Sequence, residues 1–200
     1  MEKLKIKLID CFGTVAMAIM MYLKDIIEII VDGVFTFIVC LLLTKFFFMP
    51  VQVSGDSMYP TLKDKQLGFS NIFSRRIDDL DRFDIVIVQD KFEDRKLVKR
   101  VIGLPNETIC CSNGCIYIDG APIEEYYLDD QYVASQLAQY NYQYFTSDFV
   151  CTLGNGEYFL LGDNRIISLD SRYYGPFTSK EILAKNIFVF YPFKNIGVAK

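Results

Sequence analysis

The chain of 200 residues contains no histidine and no tryptophan. Without histidine it cannot build a Ser-His-Asp triad, a Cys-His pair or an imidazole metal site. Any general base must therefore be a carboxylate, a lysine, a tyrosine or water. An excess of positive charge is lacking as well, because 25 Asp and Glu residues outnumber 21 Lys and Arg residues and give a formal net charge of −4. This balance argues against a nucleic-acid partner, whose phosphates require positive charge.

The hydrophobic content of 52% exceeds the usual share of globular proteins, and much of it lies in one segment near the N-terminus. Residues 26–49 read IIEIIVDGVFTFIVCLLLTKFFFM, and the stretch over 33–44 carries no charge. Because about 20 apolar residues cross the core of a bilayer, this segment is predicted to be one transmembrane helix that stops before Pro50. A buried core helix is the alternative.

A shorter apolar run over residues 11–23 precedes this segment. It is too short to span a bilayer comfortably, and no small-x-small cleavage site follows it before Lys24. Residues 1–25 are therefore predicted to be a cytoplasmic segment with a helix in the membrane interface, and a second span is the alternative. Lysines on the amino side favour a cytoplasmic N-terminus, which places residues 50–200 outside the cell membrane.

Residues 50–200 show the pattern of a mainly β domain. Six short segments are rich in Val, Ile, Tyr and Phe and are separated by turn residues: 83–88, 96–102, 108–111, 115–118, 158–161 and 187–191. The predicted fold is an antiparallel β-sheet domain anchored by one N-terminal transmembrane helix. Within it, residues 179–186 are predicted to form a short helix and residues 129–152 an irregular surface insertion.

Four cysteines lie in the domain predicted to be outside: Cys110, Cys111, Cys115 and Cys151. The turn at residues 112–114 is typical of a hairpin, across which Cys115 can form a disulfide with Cys110 or with Cys111. Free thiols are the alternative. A four-thiolate zinc site is disfavoured because the spacing lacks two C-x₂-C pairs, so no metal and no cofactor are predicted.

Three segments of the predicted outer domain carry the candidate chemistry. In the first, SGDSMYPT at residues 54–61, Gly55 permits a backbone that a Cβ would obstruct, and Ser57 can project from a rigid turn. Such a turn by itself is usually only structural. The second, KLVKRVIGLP at residues 96–105, reads as a strand in which Lys99 shares a face with apolar neighbours and is a candidate for burial. The third, GDNRIISLDSR at residues 162–172, is a dense polar loop after an apolar strand.

Together these segments resemble the bacterial type I signal peptidases of the peptidase S26 family, which are membrane-anchored Ser-Lys proteases. GDSMYPTL at 55–62 is similar to the nucleophile box of that family, KRVIGLP at 99–105 to its lysine box, and 162–172 to its carboxyl-terminal box. RFDIV at 82–86 resembles the remaining box, which is normally RGDIV. The chain departs from the pattern at three positions, which are Phe83, Ile166 and Ile167. None of them is one of the residues to which the resemblance assigns the catalytic chemistry.

The resemblance implies a membrane-bound serine endopeptidase that removes N-terminal signal peptides from exported pre-proteins carrying small residues at positions −1 and −3. It implies Ser57 as the nucleophile, Lys99 as the general base, and the hydroxyl of Ser168 as the group that orients the amine. The chemistry agrees, because without histidine a neutral amine is the natural base left to activate serine. An exposed lysine has a pKa of about 10.4 and is protonated at neutral pH, so burial must lower the pKa of Lys99.

The resemblance also assigns supporting roles to Gly55, Asp163, Asp170 and Arg172. Gly55 stands where some relatives carry a serine hydroxyl for the oxyanion, so another donor must act together with the backbone N–H of Ser57. The other three match positions that organise the site through ion pairs. Two further residues of the loop, Asn164 and Arg165, are expected to be only structural.

Three other interpretations compete with this one. The first is a specialised or inactive relative that assists the assembly of surface polymers such as pili. Substitution of Ser57 or Lys99 would have indicated such a relative, but both residues are present. The second is a self-cleaving regulatory Ser-Lys protease, which the predicted membrane span and the absence of a DNA-binding segment disfavour. The third is a membrane-anchored β domain without chemistry. The expected partners are exported pre-proteins and the lipid bilayer, and no nucleic acid.

Overall fold

The computed structural model of the chain describes residues 2–73 and 79–199. The chain divides into two compact units, Met1–Phe46 and Phe47–Lys200. The first unit is helical and the second, called the β domain below, contains the sheets.

One continuous helix, α1 (Glu2–Phe47), forms the first unit. Its stretch Ile19–Phe47 is long and apolar enough to cross a membrane, with a mean hydropathy of 2.6 in its most apolar window. None of that window is buried within the described chain, which disfavours a buried core helix.

Two details of the predicted helix boundaries were wrong. The helix ends at Phe47 rather than at residue 49, because residues 48–52 already form a strand that contains Pro50. There is also no break between an interfacial helix over 11–23 and the apolar segment that follows. No proline precedes Pro50, so nothing interrupts the ladder of backbone hydrogen bonds. The location of α1 in a membrane stays a prediction.

The β domain contains two antiparallel sheets. Its described strands are β1 (Phe48–Gln52), β2 (Leu67–Asn71), β3 (Ile85–Gln89), β4 (Lys96–Gly103), β5 (Thr108–Ser112), β6 (Cys115–Ile118), β7 (Ala121–Pro122), β8 (Phe149–Thr152), β9 (Glu157–Leu161), β10 (Phe177–Thr178), β11 (Ile182–Tyr191) and β12 (Gly197–Val198). The larger sheet has the order β1-β2-β11-β3-β4-β9-β10, with β12 paired to β11, and the smaller sheet has the order β7-β6-β5-β8. The predicted fold class, mainly β and antiparallel, is confirmed.

The helix predicted over residues 179–186 was wrong, because most of that segment belongs to β11. Lysine, glutamate and alanine in this segment favour a helix when read locally. In the fold, Ile182 and Ala184 are buried and pair with Val88 and Ile87 of the central strand β3. Burial against a neighbouring strand therefore outweighs the local helical preference.

The irregular insertion predicted over residues 129–152 was also wrong, because it holds helix α2 (Asp130–Tyr140) and strand β8. Asp129 caps the helix by accepting a hydrogen bond from the backbone N–H of Tyr132 at 2.7 Å. Asn141 ends it in the left-handed conformation, with a φ of 56°. These two capping residues were the signal in the sequence that could have predicted the helix. The hydrophobic pattern of α2 is weak, because none of its residues is buried.

The cysteines described in the structure are free thiols, and the predicted disulfide across the hairpin is absent among them. In the register of β5 and β6, Cys115 faces Ser112, whereas Cys111 faces Ile116. Cys111 is buried and Cys115 is exposed, so the two thiols lie on different faces of the sheet. Within the described part of the chain, no group of three or more His, Cys, Asp and Glu residues could hold a metal ion.

Candidate active site

Ser57 lies on a turn whose base is closed by backbone hydrogen bonds. Val53 donates to the carbonyl of Gln66 and accepts from Lys65, both at 2.9 Å. The two residues that anchor the turn to the core are Met58 and Leu62, which are 1% and 0% exposed and share a cluster with residues of β3 and β11. Packing on both sides of this turn therefore fixes the backbone of Ser57, while its side chain stays half-buried.

Lys99 is held inside the domain by its position on β4, where it pairs with Val86 of β3. The side chain is 2% exposed, and its Nζ donates a hydrogen bond to the Oγ of Ser168 at 3.0 Å. Burial lowers the pKa of Lys99 from the ordinary 10.5 to about 8, against the opposing effect of the nearby Asp170 carboxylate. At mildly alkaline pH a large fraction of this amine is therefore neutral and able to accept a proton.

Gly162 marks the point at which the serine turn and the carboxyl-terminal loop meet. A Cβ at this position would fall 2.2 Å from the Oγ of Ser168 and 2.5 Å from the carbonyl oxygen of Ser57. The backbone N–H of Asn164 donates to that same carbonyl oxygen at 3.0 Å. Since Ser168 also contacts Lys99, the fold brings Ser57, Lys99 and Ser168 into one site.

Asp163 joins three parts of the site through a buried ion pair with Arg100. The guanidinium of Arg100 donates to both carboxylate oxygens, at 2.8 and 2.6 Å, and the two side chains are 2% and 0% exposed. The hydroxyl of Thr61, on the serine turn, donates to the same carboxylate. The pair therefore ties the strand of Lys99 to the serine turn and to the loop after β9.

Asp170 plays a similar positioning role on the other side of the loop. Its carboxylate accepts two hydrogen bonds from the side chain of Arg172, both at 2.9 Å, and one from the backbone N–H of Gly162 at 3.1 Å. It also caps the short helix α3 (Ser171–Tyr174). Two of the predicted supporting residues, Asp170 and Arg172, are thus brought together around Gly162.

Arg165 makes only structural contacts among the described residues, as expected, and they connect three segments of the domain. Its buried guanidinium donates to the carbonyl oxygen of Gly162 at 3.0 Å, to the hydroxyl of Thr146 at 2.8 Å and to the carboxylate of Glu125. Because Gly162 lies between Ser57 and Ser168, this arginine helps to fix the loop that carries Ser168. The sequence held no signal for the contact, since Glu125 lies 40 residues away.

Gly55 and Asn164, two further residues considered in the sequence analysis, differ in burial. Gly55 is exposed, adopts a φ of 82°, and its backbone N–H donates to Asp64 at 2.9 Å, so that N–H is not free to bind an oxyanion. Asn164 is buried, and its Oδ1 has no hydrogen-bond partner among the described residues.

Known proteins that are similar to this chain share one family. The chain matches the family described as "Signal peptidase, peptidase S26" over residues 26–191. It is 38% identical over 175 residues to signal peptidase I S of Bacillus subtilis, covering 86% of this chain and 93% of that protein. It is 35% identical over 196 residues to signal peptidase I of Streptococcus pneumoniae, covering 82% and 94% respectively.

Among solved structures, a signal peptidase I from Enterococcus faecalis aligns with a TM-score of 0.48 and 32% identity, covering 54% of this chain and 97% of that one. The family match spans the segments that hold Ser57, Lys99 and Ser168. Both named relatives exceed 30% identity over most of their own length. The chain therefore belongs to the signal peptidase family, peptidase S26, and is an enzyme of the signal peptidase I class.

Proposed function

We propose that this enzyme is a membrane-bound serine endopeptidase that removes signal peptides from exported pre-proteins, with Ser57 as the nucleophile and Lys99 as the general base. The observation that carries the proposal is the buried amine of Lys99, 3.0 Å from the Oγ of Ser168 in the site that also holds Ser57. A neutral amine in this position supplies the base that a chain without histidine needs.

The reaction then follows the chemistry of acyl transfer. The Oγ of Ser57 attacks the carbonyl carbon of the scissile peptide, and Lys99 takes the hydroxyl proton and delivers it to the leaving amine. The resulting ester is hydrolysed by water, with Lys99 again accepting the proton. The backbone N–H of Ser57, which donates to no acceptor among the described residues, is free to bind the oxyanion. Ser168 orients the amine of Lys99 through their hydrogen bond.

The preference for small residues at positions −1 and −3 is supported by the packing beside the nucleophile. Met58 follows Ser57 directly and is buried together with Val53 and Leu62 in one apolar cluster. We expect such a tightly packed floor to leave room only for side chains as small as a methyl group and to reject larger ones.

The membrane arrangement belongs to the same proposal. The apolar stretch Ile19–Phe47 is the single span, the lysine-rich N-terminus is cytoplasmic, and the β domain lies outside the cytoplasm, where exported pre-proteins emerge. The lipid bilayer is thus a partner of this enzyme as well as its anchor.

Cleavage of a purified pre-protein by the full chain in detergent tests the proposal. Ser57→Ala and Lys99→Ala should each abolish cleavage while circular dichroism shows an intact fold. Ser54→Ala is the matched control, because Ser54 is exposed on the same turn and should retain activity. Continued turnover by either of the first two variants would contradict the mechanism.

A further inference from the structure

Tyr59 connects the serine turn to helix α2. Its neighbour Met58 is 1% exposed and packs into the core, whereas Tyr59 is only half-buried and contacts a different element. The ring of Tyr59 packs against the ring of Tyr132 in α2, with the centroids 5.1 Å apart and the planes tilted by 58°. Because Tyr59 is two residues from Ser57, this contact reaches the serine turn beside the nucleophile.

Tyr132 is held in one place by contacts on several sides. It lies in the first turn of α2, and its backbone N–H donates to the carboxylate of Asp129 at 2.7 Å. Its ring also packs edge to face against Phe145, with the centroids 6.2 Å apart, and Phe145 is only 8% exposed. Since no residue of α2 is buried in the core, these ring contacts at its first turn are an important part of what fixes the helix on the domain.

The chain that follows α2 is tied to the other side of the catalytic site. Thr146 is 1% exposed, and its hydroxyl accepts a hydrogen bond from Arg165 at 2.8 Å. Arg165 also donates to the carbonyl oxygen of Gly162 at 3.0 Å, in the loop that carries Ser168. Residues 129–146, called the bridging segment below, therefore contact both the serine turn and this loop.

Tyr132 contributes a ring to this arrangement and not a charge. Burial, together with the nearby Tyr59 and Asp56 of the serine turn, raises the pKa of its hydroxyl from the ordinary 10 to about 12. Tyr132 is therefore neutral over the pH range in which Lys99 loses its proton. A phenylalanine at this position would keep the aromatic contact.

We propose that Tyr132 is a positioning residue for the reaction, which packs against Tyr59 and thereby keeps the Oγ of Ser57 aligned for attack with Lys99 as the base. The inference rests on the proposed function, because the placement of this turn affects the rate only if Ser57 is the nucleophile. A small displacement of a nucleophile lowers the rate of the chemical step more than it weakens substrate binding. The bridging segment thus serves catalysis without supplying a reacting group.

Cleavage of a purified pre-protein by the full chain in detergent, over a range of substrate concentrations and pH, tests the inference. Tyr132→Ala should lower kcat about fivefold, the factor expected for loss of an aromatic pair, and should leave KM unchanged. The midpoint of the pH profile should stay near 8, because the surroundings of Lys99 are not altered. Tyr132→Phe should restore the kcat of wild type.

Tyr140→Ala is the matched control, because Tyr140 lies in the same helix and its ring stacks on Tyr142 instead of the serine turn. It should leave kcat and KM unchanged. A double-mutant cycle with Tyr59→Ala separates the contact to Tyr59 from the other contacts of Tyr132. The double variant should lose no more activity than the weaker of the two single variants, and additive losses would overturn the inference.

The remaining outcomes separate the inference from the proposed function. A kcat like that of wild type in folded Tyr132→Ala, or a raised KM with unchanged kcat, would overturn the inference while the proposed function stands. A shifted pH midpoint would do the same, since it would place the effect at Lys99. If Tyr132→Ala does not fold, Tyr132→Leu keeps apolar bulk without the ring and should show the same loss of kcat, and a kcat like that of wild type would overturn the inference. If Ser57→Ala still cleaves the pre-protein, the proposed function fails, and the inference fails with it.

Discussion

Replacing Lys99 with methionine should stabilise the β domain at neutral pH, and the gain should disappear as the pH rises. The side chain is 2% exposed, and burial lowers its pKa from 10.5 in the ordinary state to about 8 in the folded protein. Below pH 8 the folded protein holds a buried ammonium that the unfolded chain would hydrate. Between pH 8 and 10.5 the unfolded chain binds more protons than the folded one, so the stability of wild type rises with pH.

The size of the effect follows from the two pKa values. At about 1.4 kcal/mol per pH unit, the difference between 10.5 and about 8 corresponds to about 3 kcal/mol of destabilisation below pH 8. Methionine has a similar length and no charge, but it loses the hydrogen bond to Ser168, which is worth about 1 kcal/mol. The variant should therefore be more stable than wild type by about 2 kcal/mol at pH 7, and this advantage should vanish above about pH 10.

Urea unfolding of the full chain in detergent, followed by near-ultraviolet circular dichroism of the tyrosines, measures this difference between pH 6 and 10. Lys96→Met is the matched control, because Lys96 is exposed on the same strand and should show no pH-dependent gain. A difference between wild type and Lys99→Met that stays constant with pH would refute the reasoning. Greater stability of wild type at pH 7 would do the same.

Three further predictions concern activity. Cleavage by wild type should increase as the pH passes through about 8, where Lys99 loses its proton, and a flat profile from about pH 6 to 10 would exclude a titrating amine as the base. Gly162→Ala should lower kcat at least tenfold, because its Cβ would fall 2.2 Å from the Oγ of Ser168. Gly154→Ala is the control and should keep the kcat of wild type, because its Cβ meets only the flexible side chain of Glu157. Ser168→Ala should reduce turnover without abolishing it, and a loss as complete as that of Lys99→Ala in single-turnover assays would mean that this hydroxyl does more than orient the amine.

Patterns that depend on neighbours along the chain were sufficient for much of the fold. The apolar run in α1, and the Val- and Ile-rich segments of β3 and β4, indicate their structure because each depends mainly on local hydrophobic periodicity. The segment around residue 182 was misread as a helix, since its partner strand β3 lies about a hundred residues earlier. Helix α2 was missed because it buries none of its residues, so its pattern is weak.

The sequence by itself excluded histidine as the general base and left a carboxylate, a lysine, a tyrosine or water, and its motifs identified Ser57, Lys99 and Ser168 as candidates. The family comparison confirmed the signal peptidase class to which those motifs belong. Only the tertiary structure decided that the side chain of Lys99 is buried away from solvent, because the strands and loops that cover it are distant in the chain. The same holds for the Arg100–Asp163 pair, whose partners are separated by 63 residues. A pKa depends on the solvent and charges around a group, and these are set by the packing of the whole domain.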